Sequence, residues 1–172
     1  MKALSSITCR VAETTPSRWP TAFKALAATA SLIGCCAAAG EPLKTIVNPV
    51  HLSNTTQYGY SQATVAAGRS KLIFVSGQVG ISEQGPNDFN SQVDRSFARL
   101  LAALAAAGGK ADDVVKITLL ILDHDPEKLK YVVEKQRAVF GSTPPASTLI
   151  PVTALYAKGV AFEIDAVAVA PP

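Results

Sequence analysis

Glu163 is the charged residue whose position most suggests chemistry. It follows Phe162 and precedes Ile164 in a segment that is otherwise almost wholly apolar. A carboxylate is rarely buried without a partner, and a partly buried one can accept a proton or hold a water molecule. The same pattern also fits a residue of an edge strand that faces solvent beside Asp165. The sequence leaves these two interpretations of Glu163 open.

Three small or aromatic residues are further candidates for binding a ligand. Ser76 and Gly77 interrupt the apolar run KLIFVSGQV, and a glycine inside a strand marks either a bulge or a close approach of the backbone to a ligand. Tyr60 follows Gly59, and its ring either packs or presents its hydroxyl to a pocket. Pattern alone favours the simple bulge and the packed ring.

Ser147 lies at the start of an extended segment, in GSTPPASTLIPV at 141–152. A nucleophilic serine needs a base, and the two histidines of the sequence are His51 and His124. Neither histidine comes with a supporting motif such as G-x-S-x-G. The sequence therefore argues against Ser147 as a nucleophile.

The cysteines lie at the N-terminal end of the chain. Cys9, Cys35 and Cys36 are the three cysteines, so the remainder has no disulfide, no thiolate nucleophile and no cysteine metal site. With two histidines far apart in sequence, we predict that the protein holds no metal.

Residues 1–40 have the pattern of a targeting leader, and 41–172 form the predicted domain. The run Ala25–Ala39 is uncharged, is preceded by basic residues and is too short to span a bilayer comfortably. A lipobox-like ending would place a lipid on Cys35, while the triplet of alanines at 37–39 fits ordinary signal cleavage. We predict export to the periplasm or an envelope-anchored lipoprotein, with a membrane contact only through that lipid. A transit peptide or a disordered tail is the alternative, which would place the protein in an organelle matrix or the cytoplasm.

Charge argues against a nucleic-acid partner. The chain has 16 basic and 13 acidic residues, of which residues 1–39 carry four and one, so 12 of each remain. Proteins that bind nucleic acid through its backbone need clustered lysine and arginine. The balanced charge of the predicted domain does not supply such a surface.

The periodicity of the apolar residues predicts the elements that position these candidates. Strands are predicted at 57–65 and 71–79, followed by an amphipathic helix from Phe89 to a glycine pair at 108–109. A strand at 112–123 precedes a second helix, which Asp125 caps and Pro126 begins. Two final strands at 147–156 and 160–170 are predicted to form a hairpin around Lys158-Gly159.

This order predicts a single α+β domain, in which one mixed sheet carries both helices on one face. The second face of the sheet is also rich in apolar residues. Two helices cannot cover both faces, so we expect association with other subunits to cover the second one.

Several segments together resemble the RidA (YjgF) family. These are YSQATVAAGRSKLIFVSGQVGI, VDRSFARLLAALAAAGGKADDVVKITLLILD, TPPASTLIPVTAL and FEIDAVAV, which occur in the family's order and span about residues 45–171. The resemblance implies a chorismate-mutase-like fold and a homotrimer with ligand clefts between subunits. It also implies hydrolysis of 2-imino or enamino acids to 2-keto acids and ammonia, without metal or cofactor.

The resemblance assigns roles to individual residues. Tyr60, Ser76 and Gly77 match residues that line the family's cleft, and Glu163 matches the glutamate that holds the attacking water. An arginine that grips the substrate carboxylate is replaced here by Ser147. This departure puts the substrate in doubt, because a hydroxyl cannot replace a bidentate arginine.

Two further positions depart from the family pattern. A cysteine is replaced by Leu149, and an asparagine of the second helix by Val133. We therefore expect a RidA-like hydrolase (deaminase) with an altered substrate. The alternatives are a trimer that binds a small molecule without turnover and, less favoured because of the balanced charge, an endoribonuclease.

Overall fold

The computed structural model describes residues 42–172, which fold around a four-stranded sheet. The sheet has the order β3-β6-β4-β5, and a separate two-stranded sheet pairs β1 with β2. The elements in chain order are β1 (Lys44–Val47), β2 (Ala63–Ala66), β3 (Lys71–Val79), α1 (Phe89–Ala106), β4 (Val114–Leu122), α2 (Pro126–Phe140), β5 (Ala146–Val152) and β6 (Phe162–Ala170).

Both helices begin at aspartate caps. The Asp88 side chain accepts a hydrogen bond from the backbone N–H of Ser91, and Asp125 accepts one from Lys128. These caps satisfy N–H groups that have no partner within the helix. The predicted start of α2 at Asp125-Pro126 is confirmed. No helix within residues 42–172 is long and apolar enough to cross a membrane.

The helices cover one face of the sheet, as predicted for an α+β domain. The core between them is built from buried residues of both layers. The sheet contributes Ile73, Val75, Ile117, Leu119, Ile121, Phe162 and Ile164, and the helices contribute Val93, Phe97, Leu100, Leu104, Val132 and Phe140. Residues that alternate with this set along each strand therefore point to the opposite face.

The opposite face of the sheet retains exposed apolar side chains. Leu72 and Phe74 of β3 are 54% and 74% exposed, and Ile150 of β5 is 42% exposed. These side chains lie on the face where the sequence predicts contact with another subunit.

The predicted hairpin of the last two strands is wrong. β5 pairs in parallel with β4, while β6 lies antiparallel between β3 and β4. Helix α2 is the crossover that brings β5 alongside β4 in parallel, and this leaves β5 at the edge. Gly159 does adopt a turn conformation, with φ of 87°, but in a longer connection between the strands.

The predicted strand at 57–65 is also wrong in its first half. A short 3-10 helix occupies Thr56–Tyr58, and the strand begins only at Ala63. Its partner β1 was not predicted. Lys44 of β1 donates hydrogen bonds to the backbone oxygens of Val114 and Thr143, at 2.8 and 2.7 Å, which ties this small sheet to the rest of the domain.

Candidate functional site

A cavity of about 360 Å³ opens between α2 and the β4–β5 edge of the sheet. It is lined by Tyr58, Tyr60, Leu119, Leu129, Val133, Gln136, Ser147 and Leu149. The size and the mostly apolar walls are typical of a pocket for a small molecule. Two of the predicted site residues, Tyr60 and Ser147, thus come together here although they are far apart in sequence.

Tyr60 is held over the cavity by its two neighbours. Gly59 has φ of 76°, and a β-carbon at this position would lie 2.9 Å from Cβ of Gln136. Only glycine lets the chain approach α2 this closely. On the other side, the buried hydroxyl of Ser61 donates to the backbone oxygen of Pro144 at 2.7 Å. Ser61 also donates its N–H to Pro145 at 2.8 Å. Sequence analysis did not identify Ser61, whose role depends on a contact across more than eighty residues.

Ser147 lies on the helix-facing side of the edge strand β5. It is half-buried and pairs with Ile117, a core residue of β4, so its side chain shares the face that α2 covers. Arg69, Lys71 and Lys158 could supply the charge of the arginine that the family resemblance predicts at position 147. None of the three lines the cavity, and Lys71 instead donates to the backbone oxygen of Ala107 at 3.2 Å.

Ser76 and Gly77 form a bulge on β3, as their sequence indicates. The pairing with β6 shifts register between Val75 and Gln78. A β-carbon added to Gly77 would lie 1.8 Å from Oε1 of Glu163 and 2.8 Å from its Cδ. The bulge and the absent side chain therefore make the space that the Glu163 carboxylate occupies.

Glu163 lies on a central strand, so its interpretation as an edge-strand residue is wrong. It pairs with Val79 of β3 and Leu120 of β4 and is half-buried. The three ion pairs formed within residues 42–172 do not include it. A carboxylate that no ion pair neutralises can bind a water molecule and accept its proton.

The five predicted site residues thus form two groups on opposite faces of the sheet. Tyr60 and Ser147 line the cavity on the helix side, at the edge formed by β5. Ser76, Gly77 and Glu163 lie around the bulge on the uncovered face, toward the edge formed by β3. One chain does not bring the two groups into a single site.

The other ionisable groups with shifted pKa values have structural roles. Burial of Lys44 lowers the pKa of its ammonium group, although Asp112 and Asp113 oppose this shift. Asp94 of α1 is partly buried, which raises its pKa, but hydrogen bonds from Lys135 and Tyr131 of α2 outweigh this effect and lower it. These contacts connect the two helices away from the cavity.

Two further observations concern metal binding and the leader. No group of three or more metal-binding side chains occurs within residues 42–172. The predicted leader, with its candidate lipidation site at Cys35, lies outside the described residues.

Comparison with known proteins gives one family match and several related structures. The family model described as endoribonuclease L-PSP matches residues 52–170. The RutC family protein YjgH of Escherichia coli is 35% identical over 114 residues, which cover 64% of this chain and 85% of that protein. The Rid-family protein YyfB of Yersinia pestis superposes with a TM-score of 0.71 and 25% identity, covering 75% of this chain and 100% of that one. RidA from an Antarctic Psychrobacter has a TM-score of 0.52 and 30% identity, covering 64% and 88%.

Proposed function

The chain belongs to the endoribonuclease L-PSP family, which includes the Rid (YjgF) proteins, and from this premise we propose that it hydrolyses small imines or enamines. The observation that carries the proposal is the Glu163 carboxylate, which a glycine bulge holds on the uncovered face of the sheet. The reaction would need no cofactor, because water and one carboxylate suffice for proton transfer.

We further propose that the active site forms between subunits of a homotrimer. The cavity lies at the β5 edge of the sheet and the bulge lies toward the β3 edge. In a closed ring, each interface joins two different surfaces, so the β5 edge of one subunit meets the β3 edge of the next. The exposed Leu72, Phe74 and Ile150 would be covered in the same assembly. This arrangement places the cavity of one subunit opposite Glu163 of its neighbour.

The proposed chemistry balances with water alone. Glu163 accepts a proton from the attacking water while the water oxygen bonds to the imine carbon, and it passes that proton to the imine nitrogen, which gives a neutral carbinolamine. Glu163 then takes the hydroxyl proton of the carbinolamine and delivers it to the amine nitrogen as the C–N bond breaks, so that ammonia or an amine leaves with a carbonyl product. Holding the water and the imine carbon in contact is what the site contributes.

Ser147 alters which imines are accepted. An arginine at this position would pair with a carboxylate through two hydrogen bonds, and Ser147 cannot. A charged hydrogen bond of this kind contributes about 1.5–3 kcal/mol. The proposed substrates therefore lack the carboxylate of 2-imino acids at the end that enters the cavity.

Imines generated during the assay test the proposal. An amino-acid oxidase supplies imino acids and an amine oxidase supplies imines without a carboxylate, and release of the carbonyl product is followed with and without the protein. We expect acceleration mainly for the uncharged imines, and a loss of about 100-fold or more in Glu163→Gln. Asp165→Asn is the matched control, because it removes a carboxylate two residues along the same face.

Two results would separate this function from its alternatives. Stabilisation by a ligand with no turnover of either imine class would leave a binding protein. Cleavage of RNA that is lost in Glu163→Gln would instead support a nuclease.

A further inference from the structure

Gln136 carries an unsatisfied polar atom at the cavity. It lies on α2, lines the cavity and is 3% exposed. Its side-chain oxygen Oε1 is buried and has no hydrogen-bond partner within the described residues. Buried polar atoms in folded proteins are nearly always hydrogen-bonded, so an unpartnered one in a side chain that lines a cavity marks an amide that a bound molecule can engage.

Flipping the amide of Gln136 does not remove the requirement. The flip would exchange the positions of the oxygen and the nitrogen, and the buried position would then hold an unpaired donor. In either orientation the amide keeps an unpaired polar atom, which a bound water or a ligand group of complementary polarity can satisfy. A ligand group that has both a donor and an acceptor satisfies this side chain in both cases.

The remaining walls that one subunit supplies offer no partner for a charged ligand group. None of the eight lining residues is charged, and Tyr58, Tyr60, Leu119, Leu129, Val133 and Leu149 are apolar or aromatic. A carboxylate would lose its hydration here without gaining a cation, which is strongly unfavourable. It would also have no N–H or O–H to offer the acceptor of Gln136. An uncharged group meets neither obstacle.

Ser147 supplies the second polar contact, from the strand side of the same cavity. Its hydroxyl can donate a hydrogen bond to a carbonyl oxygen, while Gln136 accepts one from an N–H. A carboxamide presents this pair of atoms on one flat group. It has the shape of a carboxylate but carries no charge.

We propose that the cavity binds a small uncharged molecule through a carboxamide group, with Gln136 and Ser147 as its specificity-determining residues. The inference rests on the proposed function, since it names the class of substrate for the same site. These substrates are imines or enamines that carry a carboxamide in place of the carboxylate of a 2-imino acid. The apolar walls hold the rest of the molecule.

Matched pairs of ligands test the inference without any turnover. Isothermal titration of the full chain with benzamide and benzoate, and with isobutyramide and isobutyrate, compares amide with carboxylate at constant shape. We expect each amide to bind at least about tenfold more tightly than its carboxylate, because one hydrogen bond to a buried partner contributes about that factor. Ser147→Arg should reverse the preference.

Variants of Gln136 separate a specific contact from general apolar binding. Gln136→Met keeps the length of the side chain and removes its polar atoms, so amide affinity should fall about tenfold. Gln84→Met is the control, because Gln84 is exposed and lies outside the cavity. If Gln136→Met does not fold, the reversal in Ser147→Arg still decides the question.

Equal binding of amide and carboxylate by the unaltered protein would overturn the inference. Undiminished amide binding in Gln136→Met would also overturn it, as would Ser147→Arg without a gain of carboxylate affinity. Its failure is distinguishable from that of the proposed function. Glu163→Gln should keep the amide preference while losing hydrolysis, so a protein with the preference but no hydrolysis contradicts only the proposed function.

Discussion

The cavity and the bulge differ in how their key side chains are held. At the cavity, Tyr60 comes from a loop and Ser147 from an edge strand. Their positions depend on contacts with α2 and on the pairing between the loop that carries Tyr60 and the start of β5. At the bulge, Glu163 lies on a central strand and is paired on both sides. A wall built from loop and edge residues can change composition without disturbing the sheet. This is consistent with the predicted replacement of an arginine by Ser147 in an unchanged fold.

The largest expected effect comes from filling the bulge. Gly77→Ala places a methyl group where the Glu163 carboxylate lies, and because that carboxylate ends a flexible side chain, it can move away. We expect imine hydrolysis to fall about 100-fold, as small misplacements of a reacting group do, with a much smaller change in melting temperature. Gly68→Ala is the control, since a β-carbon there meets nothing within 4 Å. Unchanged activity in Gly77→Ala would remove Glu163 from the mechanism.

The second effect concerns the cavity wall alone. Ser147→Arg should transfer hydrolysis toward imines that carry a carboxylate, by roughly tenfold or more in relative kcat/KM, because a charged hydrogen bond is restored. Rates with the two imine classes, measured on one preparation, give this ratio directly. An arginine that leaves the ratio unchanged would show that the substrate does not lie against β5.

The comparison also separates what the sequence predicted from what it did not. The glycine bulge was predicted correctly, because Ser76 and Gly77 interrupt an apolar strand locally. The helix starts were predicted for the same reason, since Asp125 and its N-H partner are three residues apart. Local chemistry is visible in local sequence.

Features that depend on distant contacts were predicted poorly. The alternation of β5 and β6 identified two strands, but alternation does not specify which strands pair, and the hairpin was wrong. Its spacing in the sequence places Gln136 in the buried stripe of α2, and nothing local marks it as a binding residue. Its unpaired oxygen becomes visible only when the helix is packed against Tyr60 and the β5 edge.

The third effect tests how the loop at the cavity is positioned. Ser61→Ala leaves the carbonyl oxygen of Pro144 without its buried partner, at a cost of about 1–3 kcal/mol in the free energy of unfolding. Chemical denaturation measures this change. Ser70→Ala is a suitable control, because its hydroxyl bonds only to a residue three positions away, Ala67. Equal effects of the two variants would contradict the anchoring role of Ser61.

The smallest effect lies away from both regions. Folding lowers the pKa of Asp94. The ionised carboxylate therefore stabilises the folded state at pH values above the pKa of the unfolded chain, and this stabilisation is lost as the pH falls through the lower pKa of the folded protein. Because Asp94 is nearly half exposed, Asp94→Asn should cost only about 0.5 kcal/mol at neutral pH. Denaturation at pH 7 and pH 3 should show a difference that shrinks in acid. A constant difference would mean that the ion pair with Lys135 contributes nothing.

Subunit mixing tests the central claim most directly, namely that the cavity of one subunit works with Glu163 of the next. Glu163→Gln removes one half of the site, and Val133→Trp blocks the other, so each variant alone should be inactive. When the two are unfolded together and refolded at equal amounts, about one interface in four receives both intact halves, and about a quarter of the activity should return. If the mixture stays as inactive as its parts, the two halves do not meet between subunits and the account is wrong.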